Sequence, residues 1–109
     1  MIARPMTELE VWDHFKDPAQ RGILAEENGN TYGWIGWNQT GPTGLYAHSL
    51  FCDPDRPEAF ACIVQAMRQI RRRLNAPAIQ FVVDADNPTL LTLTKHNRAK
   101  VVSHILEIK

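Results

Sequence analysis

The chain has 109 residues, 44% of them apolar, and no formal net charge, a size and composition that imply one packed domain over 1–109 with no room for a second core. Balanced charge excludes a protein whose main task is neutralising nucleic-acid phosphates. No apolar run reaches the roughly 18 residues of a membrane span, and the start MIARPMTELE lacks the apolar core of a secretion signal, so a cytoplasmic location is expected.

Thr7-Glu8-Leu9-Glu10 fits a capping box, a hydroxyl followed three residues later by a carboxylate. The helix it opens is predicted to run to about Lys16, to bury Leu9, Val11, Trp12 and Phe15, and to end at Asp17-Pro18. Asn28-Gly29 separates two β-prone runs, Ile23–Glu27 and Thr31–Trp37. That pairing predicts a hairpin, because both turn residues tolerate positive φ. A polar loop over 38–44 leads to a third strand, Leu45–Cys52.

After a turn at Asp53–Pro57, the residues Phe60, Ile63, Val64, Met67, Ile70 and Leu74 recur at helical spacing. Asp55 is the expected N-cap, with Glu58 three residues on. Arg71, Arg72 and Arg73 fall in the last turn, where cations oppose the negative end of the helix dipole. Asn75 and Pro77 end this helix, and a strand follows at Ile79–Asp84. Asn87-Pro88 predicts a second short helix with Leu90, Leu91 and Leu93, since proline suits the first helical position. A long strand is expected over Lys100–Ile108, with Val102, His104, Leu106 and Ile108 on one face. Three meandering strands followed by a βαβ crossover imply an α/β (α+β) fold. Its sheet is mixed and mostly antiparallel, with helices on both faces.

This order resembles that of GCN5-related N-acetyltransferases (GNAT) from their second strand onward. Tyr32-Gly33-Trp34-Ile35-Gly36 looks like the family's second and third strands. Leu50-Phe51-Cys52-Asp53-Pro54 is similar to the strand end before its cofactor loop. Arg56-Pro57-Glu58-Ala59-Phe60-Ala61 sits where the family has R/Q-x-x-G-x-G/A. Val83-Asp84-Ala85-Asp86-Asn87, followed by Leu90 and Leu93, resembles its later N-x-x-A-x-x-L-Y segment. The resemblance covers roughly 23–108 and implies acetyl-CoA as cofactor, bordered by Phe51, Cys52, Arg56, Ala59, Ala61 and Asn87. A diphosphate would sit at the helix N-terminus, where N–H groups and the helix dipole attract anions.

The chain departs from the family pattern at several of these positions. Ala59 replaces the first loop glycine, Pro57 removes an N–H, and Thr94 stands where the family often has the tyrosine that protonates the leaving thiolate. Only about 20 residues precede the hairpin, so the family's N-terminal helices are reduced.

His48, on the expected central strand, is the candidate base, since imidazole titrates near neutrality. A strand histidine simply hydrogen-bonded in place is the plainer alternative. Glu26 and Glu27 read as solvated edge charges. Cys52 has no assignable His partner for nucleophilic work, and Cys52 and Cys62 are expected to be reduced. The four histidines have no metal-ligand spacing. The arginine run suits a solvated helix end better than nucleic acid. Trp12, Trp34 and Trp37 are core or interface anchors by type.

Two functions therefore stand side by side. One is a minimal acetyl-CoA-dependent N-acetyltransferase. The other is a degenerate, inactive GNAT-like scaffold acting through a protein partner or self-association, for which a phage-encoded virion or host-interaction protein is one form.

Overall fold

In chain order the elements are β1 (Ile2–Pro5), α1 (Glu8–Phe15), β2 (Arg21–Glu27), β3 (Asn30–Thr40) and β4 (Gly44–Cys52), then α2 (Glu58–Leu74), β5 (Ile79–Val82), β6 (Lys100–Val102) and β7 (Ile105–Ile108). The structure is a computed structural model that describes residues 1–17, 19–40, 44–82, 100–102 and 105–108. The strands form one sheet in the order β1-β2-β3-β4-β5-β7-β6. Among the described residues only β4 and β5 run parallel, joined by α2 as a crossover. The mixed, mostly antiparallel sheet expected from the element order is present.

Asn28 (φ 52°) and Gly29 (φ 81°) make the β2–β3 turn, with Glu27 facing Asn30 across it. Both φ values are positive, as a two-residue hairpin turn of this kind requires. The Thr7 hydroxyl accepts from the Glu10 N–H, and the Glu10 carboxylate accepts from the Thr7 N–H. The capping box is therefore complete, and Lys16 closes α1 in the left-handed region.

The main core lies between α2 and one face of the sheet. Phe60, Ile63, Val64 and Met67 of α2 are buried against Ile23, Ala25, Ile35, Trp37, Leu45, Ala47 and Ile79. Burying each large apolar side chain contributes about 1.5–3 kcal/mol, so this face dominates stability. A smaller cluster of Met6, Val11 and Leu24, with Phe15 and Trp34 packed on it, holds α1 to the opposite face.

The structure corrects several expectations. Leu9 and Trp12 are 70% and 49% exposed, whereas Val11 is buried. A short helix on a sheet has one inward stripe, and here Val11 and Phe15, four residues apart, supply it. Pro57, not Asp55, is the N-cap of α2, without a side-chain cap. The expected single strand over 100–108 is two antiparallel strands, with Val102 paired to Ile105. Alternation alone cannot distinguish one long strand from a tight hairpin. β1 carries Pro5 and lies at the sheet edge beside β2; four residues give too short a pattern to predict it. The predicted helix at 87–93 lies outside the described residues.

Phe60→Ala is expected to lower unfolding stability by about 3–5 kcal/mol through cavity formation. Leu9→Ala should shift it by no more than about 0.5 kcal/mol. Urea unfolding of both variants checks the inward and outward assignments together.

Candidate functional site

Among the described residues, the parallel pair β4/β5 is matched at Tyr46–Gln80 and Ala47–Phe81. Immediately after Ala47 the β3–β4 register slips, because Gly36 faces Ser49 while Trp37 faces Ala47. His48 is therefore the extra residue of a β-bulge, which bends the strand that carries it. From Ser49 to Cys52, β4 pairs with β3 on one side and, among the described residues, with no strand on the other. This stretch of β4 leads to the turn before α2. Strand backbone with no strand partner can hydrogen-bond an extended ligand.

A second bulge shapes the far end of that stretch. Ala25 faces Gly33 but Glu26 faces Thr31, so Tyr32 is the extra residue. The Tyr32 carbonyl accepts from the Asp53 N–H at 2.8 Å, tying the turn to β3. Next to it, a Cβ on Gly33 would lie 2.9 Å from the Phe51 carbonyl oxygen and 3.4 Å from the Ala59 Cβ. Glycine is needed here because the β4 backbone at Phe51 lies too close to leave room for a Cβ.

The N–H groups of this turn are largely engaged within it. Asp55 donates to Asp53 Oδ1 at 2.9 Å. Arg56 donates to the Asp53 carbonyl at 3.0 Å, Ala59 to that of Arg56 at 3.1 Å, and Phe60 to that of Pro57 at 3.2 Å. Pro54 and Pro57 have no N–H to offer. The turn as it stands does not present the open fan of N–H groups that a diphosphate requires.

The arginine of the turn is also occupied. The Arg56 guanidinium donates Nη2 to Glu27 and Nε to Glu58, and lies over the Tyr32 ring at 4.3 Å. Glu27 also meets the Met1 amino group at 3.4 Å. Arg56 holds both the Glu27 and Glu58 carboxyls below the usual range, and the two carboxylates push the guanidinium pKa up. Glu27, though partly exposed, is therefore paired with Arg56, and Glu26 pairs with Arg4 at 2.8 Å. Sequence reading misses this cluster because β2, the turn and α2 each supply a member, and Glu27 and Arg56 stand 29 residues apart along the chain. Only the Arg56/Glu58 spacing hints at it.

The remaining candidates fall in several environments. Phe51 is 41% exposed and stacks on Trp34, with centroids 4.5 Å apart; His14 of α1 tilts over Trp34 at 4.8 Å. Cys52 is half-buried, and desolvation pushes its thiol up to about 12, which leaves it protonated and poorly nucleophilic near neutrality. Ala59 is fully buried under the helix, while Ala61 faces solvent. The His48 side chain, Asn87 and Thr94 lie outside the described residues. At the other end of α2, Arg71 donates to the Ala76 carbonyl at 3.1 Å, as expected for cations at a helix C-terminus.

No known sequence family and no curated protein matches the chain. Solved structures do. The AtaT-AtaR complex bound to DNA contains a chain matching at TM-score 0.69 and 11% identity, over 99% of this chain and 93% of that one. The IAA acetyltransferase of Bacillus cereus matches at 0.67 and 6%, over 97% and 95%. Campylobacter jejuni N-acetyltransferase PseH, solved with acetyl coenzyme A, matches at 0.61 and 12%, over 85% and 68%. The fold is that of the GNAT acetyltransferases.

Two measurements check this geometry. Carboxyl NMR titration should find Glu27 and Glu58 ionising below the ordinary carboxylate range, and Arg56→Ala should return both toward it. Because these pKa values are depressed in the folded state, the pairs support folding fully above the ordinary range and lose that effect as pH falls through the depressed values. Cys52 should resist alkylation near pH 8 in the native protein and react on unfolding, as followed by mass spectrometry.

Proposed function

We propose that this GNAT-like domain works by contact with another protein rather than by acetyl transfer. The observation that carries this reading is the closed turn before α2, where both the N–H groups and Arg56 already have internal partners. Apolar exposure on the other face supports it. Leu9 and Trp12 project outward one helical turn apart, and Ile2 is 69% exposed. An exposed tryptophan with apolar neighbours is an apt anchor for a protein interface. A related fold solved in the AtaT-AtaR complex makes a protein partner a natural use of such a scaffold. A virion or host-interaction component of a phage is one form this takes.

A second reading is favoured by β4 from Ser49 to Cys52, which among the described residues pairs with β3 alone, and by the acetyl-CoA complex of PseH. It is an acetyl-CoA-dependent N-acetyltransferase. Phe51, Cys52, Arg56, Ala59, Ala61 and Asn87 would border the cofactor, which supplies an acetyl thioester. His48 is the base candidate in that reading, and Thr94 stands at the usual tyrosine position.

Thermal unfolding with millimolar acetyl-CoA separates the two. A ligand at about 100 times its Kd stabilises by about 2.7 kcal/mol, which would raise Tm by several degrees in a domain of this size. No shift is expected, and a clear one would return the enzyme reading to first place.

A further inference from the structure

The N-terminal end of α2 is one of the places where this molecule would attract an external anion, because a helix start carries partial positive charge and Arg56 adds a full one. Yet the groups gathered there are mostly anionic. Asp53, Asp55 and Glu58 come from the turn and the first helical residue, and Glu27 comes from the end of β2. Two of these carboxylates grip the Arg56 guanidinium through different nitrogens, Nη2 and Nε. Tyr32 covers one face of the guanidinium at 4.3 Å. The bulge that makes Tyr32 the extra residue also places its carbonyl under the Asp53 N–H. Backbone and side chains of the same bulge thus hold the turn and its arginine together.

We infer that Glu27 and Glu58 form, with Arg56, an internal ionic lock that closes the α2 N-terminus to external diphosphate groups. This rests on the closed-turn reading and names the residues responsible for it. An incoming diphosphate would have to displace both carboxylates from Arg56 while remaining beside them. Each carboxylate that stays within a few ångströms opposes the incoming anion through like-charge repulsion. The engaged N–H groups of Arg56, Ala59 and Phe60 offer little in return. The lock acts on binding and involves no chemical step.

The test uses the full chain and inorganic pyrophosphate as probe, with affinity measured by calorimetry at two salt concentrations. Glu27→Gln/Glu58→Gln keeps the shape of both side chains and removes their charge. It should bind pyrophosphate at least about tenfold more tightly than the wild type, a difference of about 1.4 kcal/mol, with affinity falling as salt rises. Adding Arg56→Ala should erase the gain. Glu8→Gln/Asp13→Asn makes the same change in net charge on α1, across the sheet, and should give no gain. A folded double variant that binds no better than wild type overturns the lock, as does an equal gain in the α1 control. If the double variant fails to fold, Glu58→Gln alone carries the test with a smaller gain. Acetyl-CoA run in parallel keeps the two conclusions apart. Binding by the wild type would remove the contact reading, whereas the lock stands or falls on the ratio between variants.

Discussion

Close approach of β3 and β4 at Gly33 is the constraint on which this end of the molecule depends, because a Cβ there would fall 2.9 Å from the Phe51 carbonyl oxygen and 3.2 Å from Ile63 Cδ1. Phe60, Ile63, Val64 and Met67 of α2 lie on the same sheet face. The turn must leave β4 beside Tyr32, where the bulge offers a carbonyl for the Asp53 N–H. The Arg56 side chain, itself partly exposed, lies over Tyr32 and between Glu27 and Glu58.

Two properties of the site pull in opposite directions. Among the described residues, β4 beyond the His48 bulge pairs only with β3, and a strand edge of that sort can bind extended ligands. The turn at its end is satisfied from within and ringed by carboxylates. An open edge costs a protein little, since water serves the exposed backbone groups. A diphosphate, by contrast, needs several N–H groups aimed outward together. A fold can persist without that convergence, so architecture alone does not fix activity.

The long amphipathic features are legible in the sequence. The six apolar positions of α2, the Asn-Gly hairpin turn and the capping box at Thr7 each rest on local periodicity or on one residue's φ preference, and all are present. The orientation of α1 is not legible there, because Leu9, Val11, Trp12 and Phe15 allow more than one inward stripe in eight residues. The sheet decides it by leaving room beside Gly36, where the Phe15 ring lies 2.8 Å from the position of an added Cβ. β1 and the β6–β7 hairpin escape a sequence reading for a related reason. Segments of three or four residues carry too little pattern, and their state follows from the strand beside them.

By itself, the sequence determined the elements with strong internal period, their order, and hence a mixed sheet with a βαβ crossover. It also placed Arg56, Ala59 and Ala61 at the start of the long helix. Only the tertiary structure decided what those residues face. Glu27 reaches Arg56 because the β2–β3 hairpin and the α2 crossover fold onto one another. Tyr32 meets both because a bulge redirects it. Helical and strand periods are local and survive in a one-dimensional pattern. A charge cluster drawn from three elements is set by register and packing, which no window along the chain contains.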